Sequence, residues 1–181
     1  MTGSPFSDAF RRAVEFTLAT EGGYSADPSD NGNWTGGASG HGELKGTNFG
    51  ISAAQYPSLD IKSLTRDDAI AIYHRDYWSA VHGDALPFPI ALVMFDTAVN
   101  GGAPVRWLQL SVPGVKVDGE LGPLTIAAAH RANDPVGVAL RILRRRLLFN
   151  AGLPKWKLYG AGWTQRAFDL CRAVCEAPRT V

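Results

Sequence analysis

The chain of 181 residues has two cysteines, Cys171 and Cys175, and only 19% of its residues are charged. Two thiols four residues apart on one predicted helix exclude a disulfide framework and supply too few ligands for a structural zinc site. They read instead as two small apolar residues on a buried helical face. No apolar run approaches the ~20 residues that span a bilayer. The four histidines, His41, His74, His82 and His130, show no His-Glu-x-x-His spacing, so a zinc peptidase or amidase is unsupported and no metal is expected. No glycine-rich loop runs into Lys-Ser or Lys-Thr, which removes the usual phosphate cradle, and Cys171 has no downstream His for a papain-like reaction. Asp8, Arg11, Arg12 and Glu15 interrupt the start of the chain, which does not read as a signal peptide.

What is present is an ordinary globular composition, 45% hydrophobic, long enough to bury roughly 70% of its unfolded surface in one core. A net charge of +1 makes no case for nucleic acid, yet it conceals a division. Residues 1–100 hold six Lys and Arg against twelve Asp and Glu, whereas residues 101–181 hold twelve against five. An acidic half precedes a basic half.

Phe6, Phe10, Ala13, Val14 and Leu18 recur at helical spacing after Ser7 and Asp8, predicting a capped amphipathic helix over residues 7–20 that Glu21-Gly22-Gly23 ends. From Gly22 to Gly50 the chain is rich in Gly, Asn, Asp, Ser and Thr. That stretch can hold turns and a short hairpin but cannot build a core. Thr65-Arg66-Asp67-Asp68 resembles a capping box opening a helix to about Trp78. Further helices are predicted near 88–100, 104–112, 122–132, 135–150 and 162–176, and no repeat is visible. The expected class is α+β, predominantly α, with one small Gly-rich hairpin or loop region after the first helix. Two regions are expected, 1–100 with the acidic loop and 101–181 helical, packed as one globular unit.

Glu21 stands at the C-terminal end of a helix, the wrong end of the helix dipole for an acid. Against an apolar wall, desolvation and the dipole would both raise its pKa, and a carboxyl held protonated is what protonation of a glycosidic oxygen requires. Asp27 and Asp30 follow six and nine residues later in a loop able to fold back. Glycoside hydrolysis commonly uses such a second carboxylate, ~5 Å away for retention and ~6.5–9.5 Å away for inversion. Asp27-Pro28 and Asp30-Asn31-Gly32 are equally plain turn sequences.

Glu21-Gly22-Gly23-Tyr24, Asp27-Pro28, Asp30 and Thr47-Asn48-Phe49-Gly50-Ile51 resemble the N-terminal signature of glycoside hydrolase family 108, the peptidoglycan N-acetylmuramidases, which include phage endolysins. The resemblance continues through Ile72 to Trp78, Phe95 to Gly102, Val117 to Thr125 and Gly162 to Arg166, so it spans about 160 residues. It implies a lysozyme-like fold with Glu21 as catalytic acid. Asp30 and a Thr before a Gly-Ile pair would position water or stabilise positive charge. Thr35 fits the shorter spacing of phage-type lysozymes and Thr47 fits the local Thr-x-x-Gly-Ile context. Thr47 is preferred, which makes Gly36 to Gly46 an insertion, either a lid or sugar contact or a tolerated surface loop.

Tyr24 and Asp27 are expected beside the sugar. Trp34 is the tryptophan hardest to bury and could stack on a saccharide. Asp96 and Asn100, four apart on a stripe adjacent to Phe95 and Val99, could offer an acceptor and an amide to saccharide hydroxyl and acetamido groups, or Asn100 could simply cap its helix. Val117 to Pro123 reads as a tight turn feeding a helix and resembles the turn of peptidoglycan-binding domains. Arg141, Arg144, Arg145 and Arg146 form either a solvated face or an electrostatic contact with an anionic envelope.

The resemblance thus implies a peptidoglycan hydrolase that needs no cofactor and acts as a monomer on glycan strands between N-acetylmuramic acid and N-acetylglucosamine. It would be made in the cytoplasm and act in the periplasm or wall after holin-type release. The alternatives are a lytic transglycosylase, which forms 1,6-anhydro products, and a non-catalytic wall-binding protein.

Overall fold

The computed structural model describes residues 5–19 and 22–177. It is predominantly α, with seven α-helices and one two-stranded antiparallel sheet among the described residues. The helices are α1 (Asp8–Leu18), α2 (Arg66–Tyr73), α3 (Phe88–Asn100), α4 (Pro104–Gln109), α5 (Pro123–Arg131), α6 (Pro135–Ala151) and α7 (Trp156–Cys175); the strands are β1 (Thr47–Asn48) and β2 (Ile51–Ser52). No described helix is long and apolar enough to cross a membrane. The chain divides into two compact units, Val14–Arg75 and Met1–Ala13 with Asp76–Val181. The sequence placed its boundary at residue 100/101, after α3. A cut there would separate α3 from the helices that bury it, because α3 packs on α4, α6 and α7.

In the larger unit, α3 forms the centre. Every residue from Pro89 to Thr97 is buried, so the helix is covered all round and reads as a near-continuous apolar run, not as an amphipathic stripe. It ends where Gly101 takes a positive φ of 86°. The rings of Phe10, Trp78 and Phe95 meet at centroid distances of 5.5 to 6.1 Å, within the range in which edge-to-face pairs attract. Four helices of this unit, α3, α4, α5 and α6, carry Pro in the first turn, where the missing N–H is no loss. The predicted start of α7 at residue 162 is corrected to Trp156. Gly160 is buried where a Cβ would lie 2.8 Å from the Trp156 indole, so a side chain's absence lets that ring fold back on its own helix.

The smaller unit buries Val14, Ile51, Ile61, Ile72 and Tyr73 and is tied together by polar contacts. Thr65 and Asp68 form the expected capping box, with the Thr65 hydroxyl accepting from the Asp68 N–H and the Asp68 carboxylate accepting from the Thr65 N–H. Arg66 pairs with Glu15 at 2.6 Å, joining α2 to the second half of α1. Beyond α2 the chain continues in a wider turn of π type, His74–Trp78. The hairpin between β1 and β2 turns through Phe49 and Gly50, both at positive φ (50° and 76°), the geometry of a type I′ turn. Phe is an unusual residue there, and the Tyr73 hydroxyl donates to its carbonyl at 3.0 Å. Asn48 is buried and donates to the carbonyls of Ile61 and Leu64.

Candidate active site

Glu21, the expected acid, lies outside the described residues, as does Thr20. The acidic loop behind it is described from Gly22 onward. Asp27 opens a turn in which its carboxylate accepts from the Ser29 N–H at 2.8 Å and the Ser29 hydroxyl at 2.7 Å. Those two donors, the backbone one foremost, hold its pKa below the ordinary carboxylate value. Asp30 starts the short 3-10 turn Asn31–Asn33, its Oδ1 accepting from the Gly32 N–H at 2.9 Å. Its Oδ2 has no donor among the described residues, and the side chain is exposed.

Asn33 joins these turns to the hairpin. It is 1% exposed; its Nδ2 donates to the Asp27 carbonyl at 3.0 Å and its Oδ1 accepts from the Thr47 hydroxyl at 2.7 Å. Its own carbonyl accepts from the N–H groups of Lys45 and Gly46. Asn33 thus ties the Asp27 turn to β1, and sequence reading passed over it. Asp30-Asn31-Gly32-Asn33 offers two asparagines to turn chemistry, and nothing local says which is buried.

Thr47 also pairs with Ser25 by two backbone hydrogen bonds of 2.8 and 2.9 Å. The competing threonine, Thr35, has a different task. Its Oγ1 accepts from the Glu43 N–H at 2.9 Å, beside an isolated bridge between Trp34 and Leu44. The segment 36–42 therefore folds as a small hairpin of its own, closed by Gly36 donating to the His41 carbonyl. Ser39 docks it onto the Asn31 carboxamide at 2.9 Å. Trp34 is half-buried and spends its indole N–H on the Pro28 carbonyl at 2.9 Å. Tyr24 is 41% exposed and lines a groove of about 360 Å³ with Leu44, Lys45, Leu59, Asp60 and Lys62.

Asp96 and Asn100 do not present the polar stripe expected of them. Asp96 is 0% exposed and takes ion pairs from Arg146 and from Arg166, the latter at 2.7 Å. The physical reason is that α3 is wrapped on all sides, so its polar stripe faces α6 and α7, which carry the two counter-charges. Asn100 is exposed but donates to the Asp96 carbonyl at 3.0 Å, closing its own helix.

The arginine cluster is equally divided. Arg141 and Arg145 donate to the Ser111 and Leu110 carbonyls at the end of α4, Arg146 is buried on Asp96, and only Arg144 is exposed without a bond. The turn at Asp118 is pinned by the buried Gln109, which donates to its carboxylate at 2.8 Å and accepts from the Gly119 N–H. Cys171 is half-buried and Cys175 exposed, so they are not the buried pair expected; the buried line of α7 runs through Gly160, Leu170 and Val174 instead. No three His, Cys, Asp or Glu of the described residues gather as a metal site.

Residues 14–102, which contain the loop, the hairpin and α3, match the family model described as glycosyl hydrolase 108. Among solved structures, the chain is similar to that of Brucella abortus SagA, with 29% identity and a TM-score of 0.76 over 94% of this chain and 96% of that one. No curated protein matches. The fold and these likenesses define a glycoside hydrolase of lysozyme-like α+β architecture. The match over residues 14–102 and the likeness to SagA support an assignment to glycosyl hydrolase family 108, and with it a peptidoglycan hydrolase.

Proposed function

We propose that the protein is an N-acetylmuramidase, cleaving the β-1,4 bond between N-acetylmuramic acid and N-acetylglucosamine by general acid catalysis. Glu21 protonates the leaving oxygen. Water adds to the anomeric carbon and gives its proton to Asp30, so a new reducing end forms. The observation that carries this reading is the bond between Thr47 and Asn33. The Asp27 carbonyl can only accept, so Asn33 must turn its Nδ2 there and its Oδ1 towards Thr47. Thr47 is then a fixed donor to Asn33, and its oxygen lone pairs are left to accept from a water. The free Oδ2 of Asp30, whose partner oxygen is anchored on Gly32, supplies a second acceptor for such a water. Tyr24, Asp27 and Trp34 border this loop; Asp27 contributes by ordering it, and Trp34 by an indole face.

The decisive experiment is product analysis of digested peptidoglycan with wild type, Glu21→Gln and Asp30→Asn. Reducing-end muropeptides from wild type and loss of turnover in both variants are expected. Wild-type clearance by Glu21→Gln would overturn the assignment of the acid. Anhydro products with an active Asp30→Asn would make the enzyme a lytic transglycosylase, and sacculus binding without soluble fragments would make it a wall-binding protein.

A further inference from the structure

The antiparallel pair α6 and α7 leaves one face uncovered. Between the helices runs a groove of about 210 Å³ lined by leucines of α6 and by Ala167, Phe168 and Cys171 of α7, with Arg144 its one charged residue. On the outward sides of the two helices Leu148, Leu158 and Phe168 are 59%, 74% and 68% exposed. Leu158, Ala161, Gln165, Phe168 and Arg172 recur at intervals of three and four residues, which makes them a single outward stripe of α7. A monomer rarely leaves so many large apolar side chains together in water without use.

The charges of the helix pair are predominantly basic. Residues 135–175, from the start of α6 to the end of α7, contain one acid, Asp169, and eight Lys or Arg. Four of the latter are spent inside the fold: Arg141 and Arg145 on carbonyls, and Arg146 and Arg166 on Asp96. Arg144, Lys157 and Arg172 have no partner among the described residues; Arg144 lines the groove, Arg172 shares the outward α7 stripe with Phe168, and Lys157 adjoins Leu158 in sequence. Asp169 accepts from Gln165.

The geometry points to this face as a docking surface for an anionic phospholipid bilayer, on which α6 and α7 lie in the interfacial plane without crossing it. Cations around a leucine and phenylalanine surface are the arrangement by which a helix binds at an interface: the apolar side chains enter the headgroup boundary while the basic groups meet lipid phosphates. A hydrated polyanion would satisfy the cations and leave Leu148, Leu158 and Phe168 in water. A second copy of this chain would cover them and set Arg144, Lys157 and Arg172 against three like charges. Docking here would hold a cell-wall enzyme beside the membrane surface, and it is independent of the catalytic reading above.

The test is co-sedimentation of the full chain with unilamellar vesicles of phosphatidylcholine alone and of phosphatidylcholine with phosphatidylglycerol. The double variant Leu158→Ser/Phe168→Ser and the triple variant Arg144→Gln/Lys157→Gln/Arg172→Gln are run beside wild type, each checked for wild-type unfolding temperature. All these positions are solvent-facing, so folding should survive. Wild type is expected to bind only the anionic vesicles, and each variant to bind them about tenfold or more weakly. Activity on isolated sacculi should be unchanged. Failure of wild type to bind anionic vesicles would overturn the proposal. So would undiminished binding by the serine variant, which would mark a purely electrostatic polyanion site. Concentration-dependent dimerisation abolished by that variant, without vesicle binding, would assign the face to a second copy.

Discussion

The Thr47 hydroxyl donates to Asn33 Oδ1 at 2.7 Å, and the same buried carboxamide donates to the Asp27 carbonyl at 3.0 Å. One side chain therefore fixes both the direction of the Thr47 hydroxyl and the position of the turn that leads into Asp30. Thr47→Val keeps the volume and removes the oriented oxygen. A reaction that depends on a water placed there should slow about 100-fold. Thr35 bonds to Glu43 across the base of the 36–42 hairpin, so Thr35→Val should stay within about twofold of wild type. Steady-state turnover on purified peptidoglycan for the two variants separates the threonines, and equal losses would reject Thr47.

Asn33→Ala leaves the Asp27 carbonyl and the Thr47 hydroxyl without their partner in a nearly dry position. An unsatisfied buried group costs about 1–3 kcal/mol. Urea unfolding should show that loss. At temperatures where the variant remains folded, its turnover should fall towards that of Thr47→Val, because the hydroxyl is no longer aimed. A stable but fully active Asn33→Ala would show that the orientation of Thr47 is of no consequence.

The pKa of Asp27 is lowered by the Ser29 N–H and hydroxyl. A carboxyl depressed in the folded state contributes stability above its unfolded value, ~3.9, and loses that contribution as pH falls through the lowered folded value. Thermal unfolding of wild type and Asp27→Asn should therefore differ by a constant amount between about pH 5 and 7 and converge below about pH 4. A gap that widened in acid would contradict the direction of the shift.

Asp96 is enclosed with Arg146 and Arg166. Removing its charge strands two guanidinium groups in the core, at a cost of about 3–5 kcal/mol. Asp96→Asn should lower the unfolding temperature steeply while KM of the remaining folded enzyme stays at the wild-type value. A change in KM with intact stability would restore Asp96 to the sugar site.

The regular elements were legible where the cause is local. The Thr65 to Asp68 capping box and the Gly101 helix stop carry their signals within a few residues. The polar excursion after α1 was also readable, since a segment so poor in apolar side chains can only be held by hydrogen bonds. What remained hidden depends on partners far along the chain. Asp96 looks like half of an open polar stripe until Arg146 and Arg166, 50 and 70 residues away, are brought onto it. Asn33 meets Thr47 across 14 residues and an inserted hairpin. Arginines 141 to 146 looked like one surface cluster because helical spacing does not say which of them finds a carbonyl or a carboxylate.

Gly46 is where the inserted hairpin rejoins β1, and its conformation is what lets three segments meet. Its φ is +86°, and a Cβ there would lie 2.4 Å from the Ser25 carbonyl oxygen and 2.8 Å from the Tyr24 ring. Its N–H donates to the Asn33 carbonyl and its carbonyl accepts from the Ala53 N–H, so the backbone cannot rotate away without breaking both bonds. Gly46→Ala combines a left-handed conformation unfavourable to L residues with a steric clash, and the expected cost is about 2–4 kcal/mol. Gly37→Ala is the control. Its φ is +71° with nothing near its Cβ, so it carries the conformational penalty alone, about 1–2 kcal/mol. The excess at Gly46 must fall on the Ser25 to Thr47 pairing, which puts Thr47 and Tyr24 out of place together. Urea denaturation should rank Gly46→Ala below Gly37→Ala, and only Gly46→Ala should lose turnover when both are assayed fully folded. Equal costs and equal activities would show that the close approach at Gly46 does not position the site.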